Sequence, residues 1–464
     1  MSSPSPVAAP HAGTPDGLPV PRRYWAIAAI VLSICMSVLD STITNIALPT
    51  IARDFHASPA ASIWVVNAYQ LAILVVLLPL ASLGEVVGYR RVSQAGLIVF
   101  TLASLACALA PSLLTLSVAR LIQGLGAAGI VSVNAALVRY TYPHRYLGRA
   151  IGINAFVVAT SAALGPTIAS AVLAVAQWRW LFGINVPLGL ITIAIARYAL
   201  PDPERTRRPL NHLGALLYAG MFGLVLSGLQ SLAHHSATAL ALAQIAGGAL
   251  LGAALVQREL GRDAPLIPFD LLKVRLFRLS LAASICAFIG QMSALVALPF
   301  EIQRLGHSAV ETGLYMTPWP VALALTAPIA GRLADRYPAG LLGGAGLLVM
   351  ALGLALLAFF PATGTASGFI WRMAVCGFGF GLFQSPNNHA ILSSAPRARS
   401  GAAGGMLSTS RLAGQTLGAA GVAILFRAYP ATGSNLALCA AAALALLAAL
   451  VSMIRLTGTD GARS

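Results

Sequence analysis

Long apolar runs, separated by short segments rich in charge, Gly or Pro, fill the chain from residue 24 onward. Because a bilayer core is about 30 Å thick and a helix rises about 1.5 Å per residue, a run of about 20 apolar residues predicts one membrane span. The pattern predicts an all-α polytopic membrane protein with fourteen spans. The predicted spans are residues 24–49, 60–83, 93–110, 112–138, 148–173, 178–199, 212–232, 237–257, 277–300, 309–330, 340–360, 366–394, 400–427 and 434–456.

Composition supports this class. Of the 464 residues 58% are apolar and 9% are charged, against about 25% charged in a typical soluble domain. This excludes a soluble globular enzyme. Residues 1–23 are rich in Pro, Ala and Ser and predict a disordered arm rather than a cleaved signal peptide. The five cysteines lie in apolar runs and show no metal-ligand spacing, so we expect neither disulfides nor a metal site.

The net charge of +16 has two readings, nucleic-acid binding or the positive-inside bias of membrane proteins. With the N-terminus inside, 22 of the 29 basic residues fall on the inner side and four on the outer side. This split favours the membrane reading and predicts that both termini are cytoplasmic. The remaining three basic residues lie within predicted spans; they are Arg120, Arg372 and Arg411.

Two segments of the chain resemble each other. An acidic and basic turn at residues 83–91 carries Glu85, and a similar turn at residues 331–336 carries Asp335, 250 residues later. Arg120 and Arg372 each precede a Gly-rich stretch and are 252 residues apart. Such an internal repeat is typical of secondary transporters. The predicted layout is an N-terminal arm (1–23), a six-helix bundle (24–199), two inserted helices with flanking loops (200–276), a second six-helix bundle (277–456) and a tail (457–464).

The sequence points to an ion gradient rather than ATP as the energy source. The chain has no G-x-x-x-x-G-K-[ST] sequence and no recognisable catalytic constellation, so we expect neither ATP hydrolysis nor another enzyme activity. Asp40 is the one acid well inside a predicted span, and the helix rise places it at the same depth as Arg120. Such a pair either locks two helices or carries protons. We favour a proton-coupling role for Asp40 and Arg120, because burying a charge in the membrane costs free energy and is rarely retained without a function.

Several motifs carry a family resemblance. Residues 39–49, with Asp40, are similar to a first-helix signature, and residues 83–91 to an inner loop motif in which Glu85 replaces the usual Asp. Residues 120–128 resemble a fourth-helix motif, Gly165-Pro166 resembles an antiporter motif, and residues 178–189 resemble a further typical stretch. Together these motifs resemble the fourteen-span drug:proton antiporters of the major facilitator superfamily.

This resemblance implies alternating access by two six-helix bundles, driven by the proton gradient without a cofactor. It implies a monomer in the bacterial cytoplasmic (inner) membrane. The motif residues either gate the transporter or only pack its helices; they are Glu85, Gly88, Arg90, Arg91, Gln123, Gly124, Gly165, Pro166, Asp335 and Arg336. Three prolines in the span 309–330 predict a broken helix.

A binding site for an organic cation needs a carboxylate, aromatic faces and apolar volume. The candidate substrate-binding residues are Asp40, Tyr69, Phe156, Gln291, Glu301, Tyr315, Trp319 and Phe378. The predicted function is export of amphipathic, mainly monovalent cationic drugs, dyes or biocides in exchange for protons, with the bilayer as the other partner. The alternatives are a dedicated exporter of an endogenous metabolite and a non-transporting membrane receptor or scaffold.

Overall fold

The computed structural model describes residues 17–143, 146–202, 211–233, 238–260, 269–334, 336–359, 366–395 and 400–456. The predicted residue Asp335, the arm up to residue 16 and the tail 457–464 lie outside these ranges. The helices of the first part are α1 (Arg22–Asp54), α2 (Pro59–Ser62), α3 (Trp64–Val87), α4 (Tyr89–Ala108), α5 (Leu113–Thr141), α6 (Leu147–Val175), α7 (Trp180–Gly183), α8 (Asn185–Ala199), α9 (His212–Ala233) and α10 (Thr238–Glu259).

The second part is also helical. Its helices are α11 (Phe269–Leu272), α12 (Arg275–Arg304), α13 (Ala309–Met316), α14 (Pro318–Ala334), α15 (Ala339–Phe359), α16 (Ala366–Ser393), α17 (Ser400–Ala428) and α18 (Gly433–Ile454).

Among the described residues, twelve helical segments are long and apolar enough to cross a membrane. Two predicted spans do not belong to this set. The span 309–330 corresponds to α13 and α14, and the span 400–427 corresponds to α17. Both are helical, so the structure establishes an all-helical protein with twelve candidate spans, and the count of fourteen stays a prediction.

The predicted break in the span 309–330 is present. It falls at Thr317, between α13 and α14. Pro318 and Pro320 have no amide N–H, so the carbonyl groups one turn earlier receive no helical hydrogen bond from them. The sequence pattern predicted this break correctly.

The helices pack as two groups with a pair beside them. In the first group α1 packs against α6 and α8, and α5 packs against α3 and α4. In the second group α12 packs against α17 and α18, while α16 packs against α14 and α15. The pair α9 and α10 pack against each other, and α9 also contacts α3 and α17. We call the two groups, α1–α8 and α12–α18, the N-bundle and the C-bundle.

The two bundles repeat one packing pattern. Gly96 of α4 lies against Gly126 of α5, and 250 residues later Gly346 of α15 lies against Gly379 of α16. In both pairs a Cβ atom on one glycine would overlap the backbone of the other helix, so the pattern requires glycine there. The predicted internal repeat is therefore visible in the helix packing.

Side-chain hydrogen bonds connect the two bundles near one end of the molecule. We call the end that holds the start of α1 the Arg22 face, and the opposite end the Asp54 face. At the Asp54 face, Arg53 donates a hydrogen bond of 2.7 Å to Gln303 Oε1 of the C-bundle. Deeper from this face, Ser170 Oγ donates to the carbonyl oxygen of Val310 at 3.0 Å. These contacts close the Asp54 face of the bundle interface.

Candidate functional site

A buried ion pair lies inside the N-bundle. The guanidinium of Arg120, on α5, donates from Nη1 to Oδ2 of Asp40, on α1, and both side chains are 0% exposed. The two residues therefore lie at one depth, as the helix rise from opposite ends requires. A carboxylate without water around it needs such a partner, because an unpaired charge in this environment is costly.

Gln123 connects the two members of the pair. It follows Arg120 by three residues, so both side chains lie on one face of α5. Its Oε1 accepts a hydrogen bond of 2.6 Å from Arg120 Nη1, while its Nε2 donates to Asp40 Oδ1 at 2.9 Å. The same Nε2 donates to Ser104 Oγ of α4 at 2.8 Å. Gln123, which the sequence assigned to a gating motif, is thus a direct ligand of the Asp40 carboxylate.

Asn185 is a partner that the sequence analysis missed. Its Nδ2 donates a hydrogen bond of 2.9 Å to Asp40 Oδ1, across 145 residues of sequence. Asn185 is the first residue of α8 and is 5% exposed. The sequence did contain a signal for this residue, because an amide side chain is unusual in the apolar stretch 178–189. The sequence analysis named that stretch as a motif and assigned no function to Asn185.

Aromatic rings cover the guanidinium of Arg120. Its Cζ lies 4.1 Å from the ring centroid of Tyr69 and 5.5 Å from that of Phe182. Its Nε donates to the carbonyl oxygen of Val65 at 3.1 Å. Within the described part of the chain, Nη2 has no hydrogen-bond partner. Arg120 therefore has the two N–H bonds of Nη2 without a partner among the described residues, and its cation–π contacts do not depend on Asp40.

This arrangement links the charge of one carboxylate to the packing of several helices. Asp40 accepts hydrogen bonds from α5 and α8, and α4 joins through Gln123. Protonation of Asp40 removes the negative charge that holds these donors and leaves Arg120 unpaired. Proton binding at Asp40 would therefore act on the hydrogen bonds that connect α1, α4, α5 and α8.

The antiporter-like motif lies next to this site. A Cβ atom at Gly165 of α6 would overlap Thr42 Oγ1 of α1, two residues from Asp40. Pro166, the next residue, has its carbonyl oxygen against Gly313 of α13. One turn of α6 thus connects the helix of Asp40 with the C-bundle.

The predicted gating residues at the Arg22 face are spread along the surface. Glu85 and Arg91 are exposed, and Arg90 donates to the carbonyl oxygen of Arg197. Gly88 separates α3 from α4 with φ 112°, a conformation that favours glycine. In the second repeat Arg336 is exposed.

Gly124 of the fourth-helix motif and its counterpart Gly377 pack closely against the backbone of two aromatic residues of the candidate pocket. A Cβ atom at Gly124 would overlap the carbonyl oxygen of Tyr69, and one at Gly377 would overlap that of Trp319. Tyr69 and Trp319 are 250 residues apart and each is 1% exposed. They occupy equivalent positions of the repeat.

The other candidate pocket residues do not form one cluster. Gln291 and Tyr315 are buried, and Tyr315 stacks on Phe369 with 5.7 Å between ring centroids. Phe156 and Phe378 are exposed, at 70% and 46%. Glu301 is near the end of α12 at the Asp54 face and pairs with Arg304 at 2.6 Å. The structure therefore brings together Asp40, Arg120, Gln123 and Tyr69 and leaves Phe156, Phe378 and Glu301 apart from them.

The sequence analysis paired Arg120 with Arg372 in the internal repeat, but the helix packing aligns the two repeats one residue further along. Gly124 corresponds to Gly377 and Gly126 to Gly379, an offset of 253, so the counterpart of Arg120 is Met373. Met373 is fully buried, whereas Arg372 is partly exposed and its Cζ lies 5.3 Å from the Trp371 ring centroid. A shift of one residue turns a helical side chain by about 100°, which explains why Arg372 has a different environment.

Comparisons with known proteins agree with this fold. The chain is 52% identical over 445 residues to the uncharacterized transporter YebQ of Escherichia coli (strain K12), covering 95% of this chain and 97% of that protein. It is 31% identical to the riboflavin transporter RibZ of Clostridioides difficile (strain 630), over 86% of this chain and 87% of RibZ.

A third relative is named for drug resistance. The chain is 30% identical to the multidrug resistance protein Stp of Mycobacterium tuberculosis (strain CDC 1551 / Oshkosh), over 85% of this chain and 74% of Stp. The family model of the Major Facilitator Superfamily matches residues 30–419. The chain therefore belongs to the Major Facilitator Superfamily of membrane transporters.

Proposed function

We propose that this transporter is a proton-driven antiporter. It exports amphipathic, mainly monovalent cationic compounds, such as drugs, dyes or biocides, by alternating access. The observation that carries the proposal is the fully buried pair of Asp40 and Arg120. A transporter that uses a proton gradient needs an ionisable group inside the membrane, and Asp40 is the one acid well inside a predicted span.

The coupling step follows from the partners of Asp40. With Asp40 ionised, Arg120, Gln123 and Asn185 hold α1, α5 and α8 together. A proton that binds Asp40 competes with these donors and releases the helices. A cationic substrate favours the ionised carboxylate and expels the proton, so the two ligands bind in turn. The energetic requirement is that each ligand binds better to a different conformation.

The membrane arrangement belongs to the same proposal. Fourteen spans result if α13 with α14, and α17, cross the bilayer beside the twelve apolar helices. Both termini are then cytoplasmic, with most of the basic residues on the same side of a bacterial cytoplasmic membrane. The unit of transport is one chain, with Tyr69, Gln291, Tyr315 and Trp319 as the buried candidates for the substrate pocket.

A second candidate function is export of a dedicated endogenous metabolite. The similarity to a riboflavin transporter over 86% of this chain favours it. A receptor or scaffold is a weaker reading, because a receptor gains little from an ion pair inside the membrane. The two transport functions share the same proton-coupling site and differ in substrate range.

Growth assays in a pump-deficient bacterial host distinguish these functions. Three strains are compared, with the parent gene, with the Asp40→Asn gene and with an empty vector, across cationic, neutral and anionic toxicants. We expect the parent gene to raise resistance to several unrelated monovalent cations, less so to divalent ones, and the Asp40→Asn gene to give no protection at equal expression. Protection against no cationic toxicant, with normal membrane expression, would contradict the drug-export proposal.

A further inference from the structure

Arg411 is a charged residue of α17, partly buried where the two bundles meet, and it is separate from the pair of Asp40 and Arg120. It lies eleven residues after the start of α17, which is about 16 Å along the helix and half the thickness of a bilayer core. In the described part of the chain it forms neither an ion pair nor a hydrogen bond. Arg120, by contrast, has Asp40, Gln123 and the Val65 carbonyl as partners.

The sequence around Arg411 contains no acidic residue that could pair with it. No Asp or Glu occurs between Asp335 and Asp460, a stretch that includes α15, α16, α17 and α18. The one acid well inside a predicted span, Asp40, is paired with Arg120. An unpaired arginine at this depth is costly and is commonly functional. The missing partner is therefore expected from outside the chain.

Arg411 lines a cavity that offers further polar groups. The cavity lies between α12, α16 and α17 and has about 70 Å³ of room for water-sized molecules. Gln384 and Asn388 are one turn apart on α16, while Ser408 is one turn before Arg411 on α17, so the two polar faces oppose each other. All four side chains can donate hydrogen bonds, and Arg411 adds the positive charge.

Apolar groups complete the cavity wall. Phe288 of α12 and Leu407 of α17 line it, and Phe288 meets Phe380 edge to face with centroids 5.3 Å apart. On α17 the residues after Arg411, Leu412 and Ala413, belong to the apolar cluster of the N-bundle. The cavity therefore lies where the two bundles meet, with an aromatic surface beside its polar groups.

We propose that Arg411, Gln384, Asn388 and Ser408 form a subsite for a carboxylate group of the transported compound. A guanidinium matches the planar carboxylate with two parallel hydrogen bonds, and the amide and hydroxyl groups satisfy the remaining lone pairs. The subsite deepens the proposed export function and rests on it for the direction of transport. Among the proposed cationic substrates, those that also carry a carboxylate should therefore bind more tightly than cations of the same shape that lack one.

Two related dyes test this subsite. Rhodamine B carries a cationic ring system and a free carboxylate, whereas its ethyl ester keeps the ring system and lacks the negative charge. Binding of each dye to the purified full-length protein is measured by fluorescence anisotropy, without a proton gradient. We expect the parent protein to bind rhodamine B about tenfold more tightly than the ester, as one charge-assisted interaction implies.

Three variants assign the preference to Arg411. Arg411→Gln should bind both dyes with similar affinity. Arg411→Lys, which keeps the charge but loses the paired N–H groups, should retain part of the preference. Arg372→Gln, which removes an arginine from a predicted span outside this cavity, should behave like the parent. A monodisperse elution profile confirms that each variant is folded.

Two results would overturn the subsite. One is equal binding, or no binding, of the two dyes by the parent protein. The other is an unchanged preference in folded Arg411→Gln. Because this is an equilibrium binding measurement, a failure of proton-coupled export would leave it readable, and the carboxylate subsite and the proposed antiport can fail separately.

Discussion

At the scale of single residues, the carboxylate of Asp40 is held by three side chains from two other helices. One oxygen accepts from Arg120, and the other accepts from Gln123 and Asn185. These donors compensate the loss of hydration that full burial imposes on a charged group. Loss of either charge leaves the other one buried without a counter-charge, which is strongly unfavourable.

The two arginines at similar positions of the repeat should differ in importance. Arg120→Ala leaves the Asp40 carboxylate unpaired, and breaking a buried ion pair in this way costs about 3–5 kcal/mol. Arg372→Ala removes a partly exposed side chain and should cost much less. We expect Arg120→Ala to abolish export and to lower the melting temperature, and Arg372→Ala to retain most of both.

Dye efflux from energised cells and thermal unfolding of the purified proteins measure these two effects. The variants are compared at equal expression. Equal losses of efflux in the two variants would remove the special role assigned to the pair.

The sequence revealed the pair but not its surroundings. Asp40 and Arg120 stand out because charges are rare in apolar runs, and helix rise is enough to give their depths. Asn185 could not be found in this way, because its partner is 145 residues away and the pairing depends on how α8 is rotated. The rotation of each helix about its axis also determines that Phe156 and Phe378 are exposed, which the sequence did not predict. The one-residue shift in the repeat, which makes Met373 rather than Arg372 the counterpart of Arg120, also required the structure.

At the scale of helices, α6 is the element that connects the coupling site to the C-bundle. Gly165 allows α6 to approach Thr42 of α1, and on the same helix Thr167 forms a hydrogen bond of 3.0 Å with Thr317 at the break between α13 and α14. α6 therefore contacts both α1 and the broken helix of the other bundle. The prolines of α14 allowed the break at Thr317 to be predicted from sequence. The contact between Gly165 and Thr42 could be identified only from the structure.

The close approach at Gly165 gives a prediction for this element. Gly165→Ala places a methyl group onto Thr42 Oγ1, and such overpacking costs about 1–3 kcal/mol. This loss equals the helix-propensity gain of about 1 kcal/mol from Gly to Ala at the lower end of its range and exceeds it over the rest. We expect Gly165→Ala to lower the melting temperature and the rate of efflux.

Two further variants control for this effect. At Gly421 of α17 a Cβ atom would meet nothing within 4 Å, so Gly421→Ala should be neutral or stabilising. Adding Thr42→Ala to Gly165→Ala removes the overlapping hydroxyl and should restore part of the efflux. A Gly165→Ala protein as stable and active as the parent would show that the close approach has no mechanical role.

At the scale of the whole molecule, the two bundles carry different chemistry on a repeated framework. The packing of Gly96 with Gly126 recurs as Gly346 with Gly379. The position of Asp40, however, corresponds at the offset of 250 to Gly290, and that of Arg120 corresponds to Met373. The repeat therefore preserves the glycine packing of the helices in both bundles, whereas the buried pair of Asp40 and Arg120 belongs to the N-bundle.

If Asp40 exchanges a proton for the substrate, as proposed, substrate binding should release protons from the purified protein. A saturating amount of the ethyl ester of rhodamine B, which has no titrating carboxylate, is added to purified protein in weak buffer containing a pH indicator. We expect the parent protein to release up to one proton per bound dye. Asp40→Asn, which keeps the shape of the side chain and removes its titration, should release none. If Asp40→Asn binds the dye and releases as many protons as the parent, another residue couples the two flows and the account is wrong.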